Sequence, residues 1–267
     1  MTGIVRGLAF LLLTTGLMVL GPWGAHAETE VDLALVLAVD VSLSMEPDEQ
    51  ELQRQGFIEA FRSPDVHQAI QKGMLGRIAV VYLEWAGAGY QQVVVPWTVI
   101  EQPSDSRAFA ARLAESSIQR FGYTSISGTI DFSLTQLRQS GVTPVRQVID
   151  ISGDGANNQG RIVTAARDEA VAQGVTINGL PIMLKRPDGL WDIDSLDLYF
   201  RDCVIGGPGA FMIPVREKAQ FAEAIRTKVV REITEGPQLQ SLVQPAQAEA
   251  RTNCLAGELR RQQRSGN

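Results

Sequence analysis

The chain has 267 residues, 45% of them hydrophobic, with 24 basic against 30 acidic side chains and a formal net charge of −6. That is length enough for one large α/β domain with a well-buried core, and an acidic surface argues against nucleic acid or an anionic membrane as partner. With two Cys and two His, and no Cys-x-x-Cys pair, the ligands of a zinc centre are lacking.

Residues 1–27 read as an export signal. Arg6 supplies the positive start, Leu8 to Leu20 the apolar stretch, and Ala25-His26-Ala27 a small-residue cleavage site. The stretch is short and glycine-broken for a membrane span, an uncleaved anchor being the alternative, and no Cys follows as in a lipoprotein. Cleavage takes the charge from −6 to −7, since one Arg and no acid are lost. The expectation is a periplasmic or secreted chain with no transmembrane anchor. Residues 28–236 read as one domain and 237–267 as a polar, Gln-rich tail of low order.

Within the domain, Leu33 to Val39 is continuously apolar, as a parallel strand covered on both faces should be. Glu46 to Arg62 follows as a helix, then strands at Arg77 to Trp85 and Gln91 to Ile100 around the Gly-rich link 86–90. Pro96 marks the second as an edge strand or a bulge. Helices are expected at Ser106 to Ser117 and Ile126 to Gln139, a buried strand at Gln147 to Ser152, and a helix at Arg161 to Gln173 closed by Gly174. A strand at Val175 to Leu184 leads through a charged turn at 185–189 to a short helix at Leu196 to Cys203. A last strand, Ala210 to Val215, precedes a terminal helix, Glu217 to Ile233. Strands spaced by helices predict an α/β fold with a doubly wound, mainly parallel sheet and one antiparallel edge strand.

Two strand ends carry unusual chemistry. The apolar run ends in Asp40-Val41-Ser42-Leu43-Ser44, with a carboxylate and two hydroxyls at alternate positions. The strand at Val148 to Ser152 ends in Gly153-Asp154-Gly155. Between them, Gly122-Tyr123-Thr124 brings a hydroxyl to the start of a helix. Oxygen ligands gathered at strand carboxyl ends suit a hard divalent cation. The plainer alternative is that Asp40 ends its strand and Ser44 caps the next helix.

In this order the D-x-S-x-S run, the lone Thr and the strand-terminal D-G resemble the von Willebrand factor type A domain and its metal-ion-dependent adhesion site, over about residues 31–234. The resemblance implies Asp40, Ser42, Ser44, Thr124 and Asp154 as the site. Ser42 and Ser44 would bind metal directly, Thr124 directly or through water, and Asp40 and Asp154 mainly through water. It implies Mg²⁺ or Mn²⁺ as cofactor, and a monomeric binding protein whose partner offers an Asp or Glu side chain to the metal.

Ser125 and Ser127 read as capping or supporting residues, Asn157 and Asn158 as shaping their loop, and Asp150 as paired with Arg146 or a neighbouring helix. Glu84 has no evident role, and Trp85, Trp97 and Trp191 read as packing. Gly206 to Gly209 lacks the Lys-Ser or Lys-Thr of a phosphate cradle and reads as a turn. An enzyme is not expected. His67 stands alone without a G-x-S-x-G elbow, and the second Asp of a haloacid-dehalogenase-type site is replaced by Ser42. The alternative is a hydrolase using the same metal, which needs a general base. Cys203 and Cys254 suggest a disulfide tying the tail to the domain, two separate thiols being the other option.

Overall fold

The structure, a computed structural model, describes residues 28–185, 193, 195–234 and 252–265. The expected signal segment and Trp191 lie outside the described residues. Five strands form one sheet: β1 (Thr29–Asp40), β2 (Ile78–Trp85), β3 (Gln91–Ile100), β4 (Val142–Gly153) and β5 (Thr176–Pro181). Their order is β3-β2-β1-β4-β5, with only the β2–β3 pair antiparallel. This is the α/β, mainly parallel sheet that the alternation of elements predicts.

The central strand β1 explains the doubly wound form. Its residues from Leu33 to Asp40 are almost wholly buried, and alternate side chains enter opposite faces. Leu33, Leu35, Leu37 and Val39 pack with Phe57 and Phe61 of α1 (Pro47–Arg62), Phe109 of α3 (Pro103–Glu115) and Ile225 and Val229 of α7 (Phe221–Thr234). Ala34, Val36 and Ala38 pack on the other face with Ile130 of α4 (Ile126–Arg138) and Ala166 of α5 (Val163–Ala172). A continuous apolar run is what burial on both faces requires.

Several elements differ from expectation. A helix at Pro64–Gln71, α2, follows α1 directly; Ser63 caps it, accepting a hydrogen bond from Asp65 N, and Pro64 takes its first position. The segment Ala210–Val215 is not a sixth strand. Only single bridges, Gly179 to Met212 and Ile182 to Val215, join it to the sheet: Ile213 N and Val215 N donate to Gly179 O and Pro181 O, but Pro181 has no N–H to donate in return between them, and the ladder breaks there. The helix α6 (Leu196–Tyr199) runs on into a π turn at Phe200–Val204.

Of the tail, residues 252–265 are described, and they are tied to the domain. Cys203 and Cys254 are joined by a disulfide, with Cα atoms 5.5 Å apart, and a helix α8 follows at Ala256–Ser265. Among the described residues no helix is long and apolar enough to cross a membrane.

Candidate metal site

The sheet order reverses at β1, whose neighbours β2 and β4 lie on opposite sides, and a crevice outside the strands' carboxyl ends is expected there. Val39 stands opposite Ser152, so β1 and β4 finish side by side and deliver Asp40 and Asp154 to one place. The third loop is zipped on by backbone: Ser42 bridges Phe121, Leu43 N donates to Phe121 O at 2.9 Å, and Phe121 N donates to Val41 O at 3.2 Å. Thr124 follows three residues later.

A chain of side-chain bonds links four of the five expected residues. Asp40 Oδ1 accepts from Ser42 N at 2.7 Å, the Ser42 and Ser44 hydroxyls lie 2.7 Å apart, and Ser44 Oγ donates to Asp154 Oδ1 at 2.6 Å. Ser44 is therefore not a helix cap; α1 begins after Glu46, whose N–H is bonded by Glu49 Oε2 at 2.9 Å. Thr124 is buried and fixed through its backbone. Its N–H donates to Asn158 Oδ1 at 2.9 Å and its carbonyl accepts from Asn158 N at 2.8 Å. Asn158 sits four residues past Asp154, so one loop carries a carboxylate and holds the Thr124 hydroxyl's loop. Ser125 caps α4 by accepting from Gly128 N, and Asn157 Oδ1 accepts from Ser127 N at 3.0 Å.

Gly153 permits the close approach of Asp40, whereas Gly155 has room for a side chain in ordinary contact with Thr124. A Cβ on Gly153 would stand 2.8 Å from Asp40 Oδ2, and one on Gly155 would stand 3.6 Å from Thr124 Oγ1. Asp40 Oδ2 is buried with no hydrogen-bond partner among the described residues. Burial pushes the Asp40 carboxyl well above the usual carboxylate range, and the Asp154 charge adds to the shift against the bonds from Ser42. A buried carboxylate oxygen left open beside a second carboxylate is a place for a cation. Among the described residues no three His, Cys, Asp or Glu side chains gather as a metal group. Two carboxylates with three hydroxyls remain, an all-oxygen set that fits a hard divalent ion.

Lys185 is a participant that sequence reasoning placed only in a charged turn. Its ammonium donates to Ser44 O and stands 3.2 Å from Glu49 Oε2 and 3.9 Å from Asp154 Oδ2. No local pattern links residue 185 to Ser44; the link exists only because β1 and β5 end on the same side of the sheet.

Other candidates go elsewhere. Asp150 pairs with Lys228 of α7 at 2.7 Å, the neighbouring-helix option, while Arg146 donates to the carbonyls of Glu232 and Ile233. Glu84 forms a buried ion pair with Arg54. Trp85 is fully buried, and Trp97 Nε1 donates to Gln136 O at 3.1 Å. Gly207 and Gly209 take φ of +94° and +71°, as a tight turn demands. His67 lies in α2, which packs on α1, α3 and α7.

Solved structures share the fold at low identity. The pilus adhesin SpaC from Lactobacillus rhamnosus GG superposes with a TM-score of 0.57 at 13% identity, over 76% of this chain and 31% of that one. A von Willebrand factor type A protein from Catenulispora acidiphila gives 0.53 at 15%, over 76% and 43%. Proximal thread matrix protein 1 from the mussel byssus, with a zinc-occupied MIDAS motif, gives 0.53 at 11%, over 76% and 46%. The chain thus has the von Willebrand factor A fold and matches less than half the length of each of these proteins. No curated protein sequence matches it. The model of the family described as "Protein of unknown function (DUF1194)" matches residues 30–237, and the chain belongs to that family.

Proposed function

From membership of that family and from its von Willebrand factor A fold, we propose that the protein is a divalent-metal-dependent binding module. Asp40, Ser42, Ser44, Thr124 and Asp154 would hold Mg²⁺ or Mn²⁺, and a partner protein would bring an Asp or Glu side chain to the ion. The observation that carries this reading is the open, buried Asp40 Oδ2 at the end of the Asp40–Ser42–Ser44–Asp154 chain.

When bound, the ion supplies a Lewis acid for the incoming carboxylate. The protein's own residues do the rest. Two carboxylates match a charge of +2, and neutral hydroxyls add no further negative charge against the partner's. Asn158 holds the Thr124 loop through two bonds, and Gly153 leaves room for the Asp40 carboxylate. A hydrolytic use of the same ion needs a free general base. Glu49, the nearby carboxylate, is occupied by Glu46 N–H and the Lys185 ammonium, which supports binding over hydrolysis. Export to a periplasmic or extracellular space and a monomeric state complete the proposal.

Titration calorimetry of residues 28–267 with Mn²⁺ tests it. One ion should bind, and Asp40→Ala or Asp154→Ala should abolish binding while the circular dichroism of the fold persists. Unchanged affinity in Asp40→Ala refutes the assignment. A pull-down from periplasmic extract should then yield a partner that leaves with EDTA and is absent with Thr124→Ala.

A further inference from the structure

The C-terminal helix α8 does not rest on an arbitrary part of the surface. It lies against residues 156–158, the loop that runs from Asp154 to the Thr124 contacts. Gly257 meets the backbone there: a Cβ on it would stand 2.1 Å from Asn157 O and 3.2 Å from Ala156 Cβ. Glu258 Oε1 accepts from Asn157 Nδ2 at 2.8 Å. Arg261 Nη1 donates to Asn158 O at 3.2 Å, and its guanidinium lies 5.1 Å from the centre of the Tyr123 ring. One helix therefore touches both sides of the Thr124–Asn158 pairing.

The same two asparagines do the holding inside the site. Asn157 is fully buried; its Oδ1 accepts from Ser127 N, and its backbone N–H donates to the Tyr199 hydroxyl at 3.2 Å. Asn158 bonds the Thr124 backbone twice, its Oδ1 accepting from Thr124 N and its N–H donating to Thr124 O, which also accepts from Gln159 N at 3.2 Å. Tyr123, between Gly122 and Thr124, has φ +71°, a left-handed conformation that a bulky residue keeps only when its surroundings impose it. The Arg261 guanidinium over its ring is one of those surroundings.

A short polar helix docks weakly by itself, since it has little apolar surface to bury. The Cys203–Cys254 bond removes that difficulty. Cys203 is fully buried in the core, and Cys254 stands two residues before α8, so the helix is presented to its dock at high effective concentration. Thr252 N also donates to Asp202 Oδ2 at 2.8 Å beside the bond.

We propose that α8 is a positioning clamp for the metal site: Gly257, Glu258 and Arg261 hold the 154–158 loop, and through Asn158 they hold Thr124 where its hydroxyl can ligate. This rests on the reading of Asp40, Ser42, Ser44, Thr124 and Asp154 as a metal site. Residues 28–267 with the disulfide intact are the reference, and Mn²⁺ alone is the probe. Gly257→Leu, which cannot seat on Asn157, should weaken Mn²⁺ binding about tenfold and speed hydrogen exchange at the Thr124 amide. Cys254→Ser should act in the same direction. Glu258→Ala should weaken binding, and Glu258→Gln, which keeps the acceptor oxygen, should restore it. The core melting transition should stay within a few degrees of the reference. Equal Mn²⁺ affinity and equal Thr124 exchange in the reference and Gly257→Leu overturn the clamp. A reference protein that binds no Mn²⁺ overturns the metal reading, and the clamp with it.

Discussion

Lys185→Met should tighten Mg²⁺ binding. The Lys185 ammonium stands 3.9 Å from Asp154 Oδ2, and an ion in the site is taken at about 6 Å from the ammonium, nearer than a fully water-separated position beyond Asp154 would be. A charge of +1 and one of +2 at that distance repel by about 1.4 kcal/mol in a bulk-water dielectric, close to tenfold in affinity. The lysine side chain is 34% exposed, so the bulk value is nearer the mark than an interior one. Screening at physiological ionic strength roughly halves it, leaving about threefold. Calorimetric titration of wild type and variant should therefore show about threefold tighter Mg²⁺ binding in ordinary buffer, rising toward tenfold in dilute salt. Lys185→Arg, which keeps the charge, should leave affinity near wild type. A Lys185→Met protein that binds Mg²⁺ no tighter at either ionic strength refutes the argument, because no electrostatic competition then exists between the ammonium and the ion.

Gly153→Ala should weaken metal binding about tenfold with a stability cost of about 1–3 kcal/mol, since its Cβ would meet Asp40 Oδ2 at 2.8 Å; calorimetry and thermal melts measure the two effects. Lys228→Met should destabilise the fold by about 3–5 kcal/mol near pH 8 by leaving the buried Asp150 and Glu232 carboxylates without their cation, as read by urea unfolding. Wild-type stability has a pH signature from the same triad. Burial, then the Asp150 charge, pushes Glu232 up to about 7 against the pull of Lys228, so the folded state holds a proton that the unfolded chain has released. That contribution is complete below the ordinary glutamate value and is lost as pH rises through about 7. The Lys228→Met deficit should accordingly be smaller at pH 5 than at pH 8.

The parts legible in the sequence are those where local pattern and global role coincide. The run Leu33 to Val39 must be apolar because both faces of β1 are covered, and Pro96 falls both on an edge strand and at an irregularity in the β2–β3 register. Asp40, Ser42 and Ser44 could be read because one strand end sets their spacing, and the structure brings Asp154 and the Thr124 loop beside them. Lys185 could not, because its position depends on where a distant strand ends. Nor could α8: its residues are polar, and what marks it is Gly257 against the Asn157 carbonyl, a contact across a hundred residues that leaves no periodic trace.

The failed strand at Ala210–Val215 has a further consequence for the molecule's behaviour in a crowded compartment. An open sheet offers two rims of unpaired backbone, each a template for joining another chain. On the β5 rim, Gly206, Met212 and Val215 occupy bridge positions without forming a ladder, so the rim is covered while the covering segment offers no regular strand of its own. On the β3 rim, Pro96 removes a donor where the register slips. A binding module of the kind proposed has to join its partner at one face and nothing at its flanks. Here both flanks are blunted by proline, one within the edge strand and one within the segment that covers its opposite, so that backbone pairing at the rims does not compete with the proposed site at the ends of the strands.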